Sequence, residues 1–374
     1  VYRRLGKFEA ALEKIKVAIR IFENRYGMVH PFIAEALEIE GKIYDHLCQF
    51  DQEEKVWKRN LEIQSKIYSG EHPASAATHY DYGNLCLRRG EFDEAVKHLE
   101  TSLSITEKSL GKNHPEYFGR LIRLATCHYE RQNYSQAQET LKDAPSLQES
   151  IFGKSPHPYV ARMLQLQSEI HRRLGEFKKA LDCVNDAIAI KEDIYGKEHP
   201  SVAIALETKA RILYHLNASV EATRLLKHSL EIHEKSYGKN HPAVGRSKAY
   251  LGSQYLRTGN YDEAITLFKE ALEITKSVFG ENHLEYIETA LHLANALNEK
   301  GEYRPALKII EELDGVIKQT ISSKNHYLKA RWLQDIAELQ RRLGEFDKAM
   351  GYIGQAIGTK EAIYGQVHPS VATA

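Results

Sequence analysis

An all-α solenoid of antiparallel helix pairs is the fold class predicted by this sequence of 374 residues, and three observations predict it. First, histidine recurs at His30, His72, His114, His157, His199, His241, His283, His326 and His368, in steps of 42 or 43 residues, and proline follows it in seven of the nine places. A fixed period in the range of about 20 to 50 residues marks a repeat architecture, and it overrides the two or three domains that length alone would suggest. Second, Gly6, Gly90, Gly175, Gly259, Gly301 and Gly344 run in phase with the histidines, each followed two places later by Phe or Tyr, with Cys48, Gln132 and Asn217 on the missing beats. Third, apolar residues inside each segment follow a helical period, and no segment alternates as a strand would.

Residues 199–240 show one unit in order. Pro200 suits the first turn of helix A, where its missing N–H costs nothing and its fixed φ helps. Helix A runs to about His215, and a short turn at Asn217 leads into helix B, which continues to about Tyr237. Gly238 is a C-cap, and Lys239-Asn240 closes the loop before the next His-Pro. Five places after each turn residue stands alanine in eight of nine copies: Ala11, Ala95, Ala137, Ala180, Ala222, Ala264, Ala306 and Ala349. Nine places after it the residue is large and apolar (Ile15, Trp57, Leu99, Leu141, Val184, Leu226, Phe268, Ile310, Ile353). Seven places before it the residue is small (Gly41, Gly83, Ala125, Ser168, Ala210, Gly252, Ala294, Ala337). Small residues let two helices approach closely, and the large ones are expected to fill the space between neighbouring pairs. The histidine itself is expected at the N-cap of helix A.

This pattern resembles the tetratricopeptide repeat, and the 42-residue spacing with its Tyr-Gly-Lys-x-His-Pro linker (Tyr195 to Pro200, Tyr237 to Pro242) is similar to the repeats of kinesin light chains and nephrocystin-type proteins. The resemblance spans the whole chain. It implies a right-handed superhelical solenoid that binds a protein or peptide on the concave face lined by its A helices. In kinesin light chains an Asn-Asn pair on helix A holds the cargo backbone. The matching places here, among them Glu38-Ile39, Tyr80-Asp81, Gln165-Leu166, Glu207-Thr208 and Gln334-Asp335, carry no such pair, and the Lys/Asn carboxylate clamp of chaperone-binding arrays is absent as well.

The 43-residue steps recur every fourth unit, which predicts four-repeat blocks at 6–174 and 175–343 and a third starting at 344, within one solenoid spanning 1–374. The fourth unit of each block has a flaw inside helix B, Pro145 in the first and Asp314-Gly315 in the second. A kink or break is expected at both, since proline removes a helical hydrogen bond and glycine weakens a helix by about 1 kcal/mol. The chain starts near the end of one helix A and stops early in another, so it is expected to be a segment of about eight full repeats cut from a longer array.

Composition narrows the function classes. Lys+Arg and Asp+Glu number 51 each, so the net charge is zero, which argues against a nucleic-acid or anionic-membrane partner. No apolar run approaches the roughly 18 residues of a membrane span, and no signal peptide is evident. Cys48, Cys86, Cys127 and Cys183 stand far apart, which points to a reducing, cytoplasmic setting. Histidines of successive repeats are expected roughly 10 Å apart, too far to share a metal. Gly153-Lys154-Ser155 imitates a P-loop ending, but Gln148 replaces the required glycine and no strand precedes it. The sequons at Asn133 and Asn217 read as chance matches. No Ser/His/Asp or Cys/His set is expected to come together, so neither an enzyme activity nor a cofactor nor a metal site is predicted.

What remains is the A-helix face. The candidate peptide-groove residues are Tyr80, Asn84, Arg88, Arg162, Gln165, Arg172, Arg173, Arg211, Tyr214, Arg246, Arg257, Asn295, Arg331 and Arg341. Arginines interspersed with Tyr and Asn suit an acidic or aromatic peptide, through bidentate carboxylate bonds and main-chain hydrogen bonds. The same residues also read as a solvated face paired within each helix, through Glu169–Arg173, Glu207–Arg211 and Glu338–Arg342. The leading expectation is a non-enzymatic protein-interaction scaffold. The alternatives are a filament-forming or elastic giant array, with self-association as its partner mode, and the sensor region of a larger signalling NTPase or protease.

Overall fold

The computed structural model describes residues 8–47, 49–68, 72–321, 326–366 and 369–372. Gly6, Cys48 and His368 lie outside the described residues. The chain divides into two compact units, Val1–Gly153 and Lys154–Ala374. The first holds α1 (Phe8–Tyr26), the pair α2 (Pro31–His46) and α3 (Phe50–Ile67), and the pair α4 (Pro73–Arg88) and α5 (Phe92–Leu110). It ends with α6 (Pro115–Glu130) and a divided partner, α7 (Tyr134–Thr140) and α8 (Ala144–Phe152). The second holds α9 (Pro158–Arg173) with α10 (Phe177–Tyr195), α11 (Pro200–His215) with α12 (Ser219–Tyr237), and α13 (Pro242–Arg257) with α14 (Tyr261–Phe279). It continues with α15 (Leu284–Lys300) and α16 (Tyr303–Thr320), α17 (Tyr327–Arg342) and α18 (Phe346–Tyr364), and the short α19 (Pro369–Ala372). The described residues contain no strand, so the architecture is an all-helical solenoid in which, within each unit, the paired helices pack on one another and on the next pair in sequence.

Histidine begins every complete A helix, for a simple reason. At His30, His72, His114, His157, His199, His241, His283 and His326 the backbone is extended and Nδ1 accepts a hydrogen bond from the N–H two residues on, at 3.1–3.2 Å. That satisfies one of the orphan donors of the first turn. His283 and His326, which lack the proline, cap equally well. The aromatic residue that ends the preceding B helix then stacks on the cap: Tyr26 on His30, Tyr68 on His72, Tyr195 on His199, Tyr237 on His241 and Phe279 on His283, with centroids 3.8–4.5 Å apart. One histidine thus joins two consecutive repeats.

The A-to-B turns need a left-handed residue because each closes with an N–H bonded to the carbonyl five residues back, as in Glu91 to Cys86 and Ala218 to Leu213. Glycine meets that need at Gly90. Gln132 and Asn217 meet it at φ 63° and 58°. The repeated alanines are the points of closest A–B packing, and Ala95, Ala137, Ala180, Ala222, Ala264 and Ala306 are fully buried. The large residue, expected between neighbouring pairs, instead lies on the small residue of its own pair. A Cβ added to Gly83 would meet Leu99 and one added to Gly252 would meet Phe268, while at Gly41 it would enter the Trp57 ring.

The two expected flaws differ. Helix B breaks at 141–143, and Pro145 restarts it in the first turn of α8, where a missing N–H is harmless. In the second block α16 runs unbroken through Asp314-Gly315, which corrects the expectation there. Glycine keeps its N–H, so the ladder continues, and Asp314 adds an (i, i+4) ion pair with Lys318 at 2.7 Å.

Candidate functional site

The A helices place one face side by side, and within residues 154–374 that face forms a cavity of about 390 Å³. Arg172 and Arg173 (α9), Arg211 (α11), Arg246 and Arg257 (α13) and Arg331 (α17) line it, with Tyr250, Gln254, Glu285, Glu288 and His292 between them. These residues share a wall because they recur at helical spacing before the turn residues: 13 places at Arg246, Glu288 and Arg331, nine at Tyr250 and His292, six at Arg211 and two at Arg173 and Arg257.

Glu169 organises one end. Its carboxylate accepts hydrogen bonds from Arg172 Nε and Nη2 at 3.0 and 2.9 Å and pairs with Arg211 of the next repeat. Burial would raise the Glu169 pKa, but Arg211 and Arg172 outweigh it and hold the group ionised below the usual carboxylate range. Arg211 also stands over the Tyr250 ring at 5.7 Å, and Arg257 stands over Tyr214 at 4.6 Å. Among the described residues neither Arg246 nor Arg257 has a carboxylate within ion-pair distance. Burial lowers the Arg257 pKa, and the nearby Arg172, Arg211 and Arg173 lower it further.

The other end is built on His292. Its ring stacks on Phe268, and Arg331 reaches both ring nitrogens, Nη2 at 3.2 Å from Nδ1 and Nη1 at 3.4 Å from Nε2. Burial, with Arg331 and Arg257 adding to it, pushes the His292 pKa down to about 3, so the ring is neutral. Burial raises the carboxyls of Glu285 and Glu288 against the pull of Arg246 and Arg331 respectively, and it pushes Asp335, 3.8 Å from Arg331 Nε, up to about 6.

Seven of the candidate groove residues therefore come together: Arg172, Arg173, Arg211, Tyr214, Arg246, Arg257 and Arg331. The others lie elsewhere. Arg88 is engaged by Glu53 and by Asp45, all at 2.8 Å. Glu53 takes the place of the repeated alanine in the second copy. It is 1 % exposed and also accepts from Trp57 Nε1, and burial pushes its pKa up to about 7 against the pull of Arg88. Tyr80 lies under Arg120 and Arg123, while Asn84 keeps a buried Oδ1 without a hydrogen-bond partner among the described residues. Gln165 accepts from the buried Lys191 at 2.6 Å and donates to Thr208 at 3.1 Å. Arg341 is bound by Glu338, and Arg162 and Asn295 are half-buried on α9 and α15 outside the cavity. Tyr250, Gln254 and His292 line the cavity but were missed, although Tyr250 and Gln254 lie on α13 between the candidates Arg246 and Arg257, and His292 stands one turn before the candidate Asn295.

Two further expectations are corrected. Glu207 is not part of an exposed intrahelical pair, because it is buried and accepts from Ser229 and Ser247 at 2.8 and 2.6 Å. Serine, histidine and carboxylate do meet, since Ser247 lies 2.7 Å from His233 Nδ1. With its hydroxyl donated to Glu207, Ser247 accepts from Nδ1–H, so His233 cannot take its proton. All four side chains are sealed from solvent, and the set ties α11, α12 and α13 together. Cys86 and Cys127 are buried thiols pushed up to about 12 by burial, and are unreactive for that reason. Asn133 caps α7, and Asn217 forms a turn. The described residues contain no group of three metal-ligating side chains and no helix long and apolar enough to cross a membrane.

The tetratricopeptide repeat family matches residues 41–108, 77–150, 159–235 and 246–313. The chain belongs to the tetratricopeptide repeat family. With that family comes its general role as a scaffold for protein interaction, and its repeats typically carry no catalysis. No curated protein matches the sequence. Among solved structures, the Rap protein complexed with Competence and Sporulation Factor is similar over 96 % of this chain and 99 % of its own, at 14 % identity and a TM-score of 0.63. A Podosopora anserina kinesin light chain-like protein with nearly identical repeats is 21 % identical over 55 % of this chain and 97 % of its own, with a TM-score of 0.46. BtubC from P. vanneervenii is 15 % identical over 67 % and 94 %, with a TM-score of 0.47.

Proposed function

We propose that this chain is a non-enzymatic scaffold that holds a peptide segment of a partner protein along the A-helix face of residues 154–374. The observation that carries this reading is the 390 Å³ cavity, in which consecutive repeats contribute six arginines and only two glutamates to one wall. Planar guanidinium groups suit bidentate carboxylate recognition, and the half-buried Tyr250 and Tyr214 offer apolar surface beside them. The Rap protein, solved with Competence and Sporulation Factor, is a precedent for this fold with a bound factor.

The test is a peptide-display selection against the intact chain, followed by binding titration of the selected peptides. Charge reversal is best placed at Arg246 and Arg257, which no carboxylate among the described residues holds, since reversal at Arg172 or Arg211 would leave Glu169 facing a like charge. Arg246→Glu with Arg257→Glu should weaken selected peptides at least tenfold with the helical content unchanged. Selection of no peptide, or peptides indifferent to both substitutions, overturns the reading. The four-repeat grouping with blocks 6–174 and 175–343 is retained as part of the proposal, on the sequence spacing.

A further inference from the structure

We propose that the end of the cavity bounded by Arg172, Arg173, Arg211 and Arg257 takes a phosphoryl group, carried on a phosphorylated side chain of the bound peptide. This rests on the peptide reading above and names the group that the cavity selects. The charge balance at that end carries it. Arg172, Arg211 and Arg257 meet there beside Glu169, whose carboxylate is already bound by Arg172 and Arg211. Arg257 is left with the Tyr214 ring and no anion among the described residues, although three like charges crowd it.

A donor of a different kind stands at the same wall. Gln254 is 3 % exposed, lines the cavity, and its Nε2 has no hydrogen-bond partner among the described residues. A buried amide donor left open is costly unless something accepts from it. A carboxylate of the partner would bring one negative charge and two oxygens. A phosphoryl group brings about −1.5 to −2 at neutral pH and three acceptor oxygens, enough to engage Arg257, a second guanidinium and the Gln254 amide together. The glutamates set the direction of the ligand. Glu285 lies near Arg246 and Glu288 near Arg331, so those two guanidinium groups have acids beside them, whereas Arg257 has none among the described residues, which directs the phosphoryl to the Arg257 end.

The test uses the intact chain and two probes. Pyrophosphate titrated by calorimetry at fixed ionic strength should bind saturably, at least tenfold more weakly to Arg257→Gln, with Arg257→Lys intermediate because it keeps the charge and loses the fork. Gln254→Leu should weaken the same probe severalfold with no loss of charge. The second probe is a peptide panel synthesised in phosphorylated and unphosphorylated forms, in which the phosphorylated member should bind at least tenfold tighter, a preference that Arg257→Gln removes. Pyrophosphate that does not bind, or binds equally to Arg257→Gln, overturns the anion site. Peptides that bind equally well in both forms overturn the phosphoryl inference and leave the peptide reading standing. If pyrophosphate binds but no peptide of either form does, the peptide reading falls, and with it the partner assigned here.

Discussion

The pairing of Gly41 with Trp57 offers the sharpest test of how the repeats are held together. A Cβ on Gly41 would lie 2.6 Å from Trp57 Cη2 and 2.7 Å from Cε2, well inside carbon–carbon contact. Trp57 is 1 % exposed, so the ring has nowhere to go. Overpacking of this kind costs about 1–3 kcal/mol, and alanine returns about 1 kcal/mol of helix propensity. Gly41→Ala should therefore destabilise this helix pair by about 1 kcal/mol net. The chain itself contains the compatible alternative, because Ala210 packs in a copy that carries Leu226, and both are buried. In a Trp57→Leu background the clash disappears and Gly41→Ala should stabilise by about 1 kcal/mol, a coupling of about 2 kcal/mol between the two sites. Trp57→Leu also removes the indole donor to Glu53, but that loss is common to both variants made in this background and cancels in the cycle. Because repeat arrays open locally, the assay is native-state hydrogen exchange of the α2 and α3 amides, which reads local opening free energy. A coupling below about 0.5 kcal/mol would refute the packing argument.

Other outcomes follow from the same geometry. His241→Ala should cost α13 about 1 kcal/mol for the lost cap and about 0.5–1 more for the Tyr237 stack, whereas His241→Asn keeps a capping oxygen and loses only the stack; exchange of the first α13 amides separates the two. Burial lowers the pKa of the capping His157, His241 and His283, so their folded forms resist protonation. A depressed histidine pKa means that stability is present above the unfolded value near 6.5 and is lost as pH falls, so acid should uncap the A helices, and His241→Asn should lessen that acid sensitivity in a urea series. His292, held down to about 3, acts over the window from about 6.5 to about 3, and His292→Phe should flatten the acid limb of unfolding monitored by Trp332 in a Trp57→Phe background. Gly315→Ala should stabilise α16 by up to about 1 kcal/mol, since its Cβ meets open space in a continuous helix; thermal melts showing no gain would contradict that.

The framework was legible in the sequence wherever a repeat-wide physical need selects one residue type. The cap requires an acceptor at a fixed place, the turn requires a left-handed residue, and close A–B packing requires alanine, so nine noisy copies reveal each need. Glu53 shows the limit of that logic. It breaks the alanine pattern because Trp57 and Arg88 supply its partners, and Arg88 stands 35 residues away. The candidate site was legible as a face and less so as a set of contacts. Reasoning along one helix pairs Glu207 with Arg211, four places on. The fold instead takes Glu207 into a buried network with Ser229 and Ser247 and gives Arg211 the carboxylate of Glu169, one repeat earlier. Which side chain meets which across a repeat is set by helix packing, and helical periodicity within one segment contains no information about it.

That division of labour explains how one scaffold carries an uneven charge on a chain whose net charge is zero. Each repeat contacts chiefly its sequence neighbours, so its stability rests on the cap, the turn and the alanine contact, none of which lies on the cavity wall. The wall positions are free to vary. In residues 154–374 they place arginine at 172, 173, 211, 246, 257 and 331, while the balancing acids are spent in two ways. Glu169 and Asp335 sit beside arginines that they help to orient, and Glu285 and Glu288 stand at the far side, where burial disfavours their charge. Overall neutrality therefore coexists with a local cationic end, and the residue that defines that end is Arg257, the guanidinium that the fold crowds with like charge and leaves without a carboxylate among the described residues.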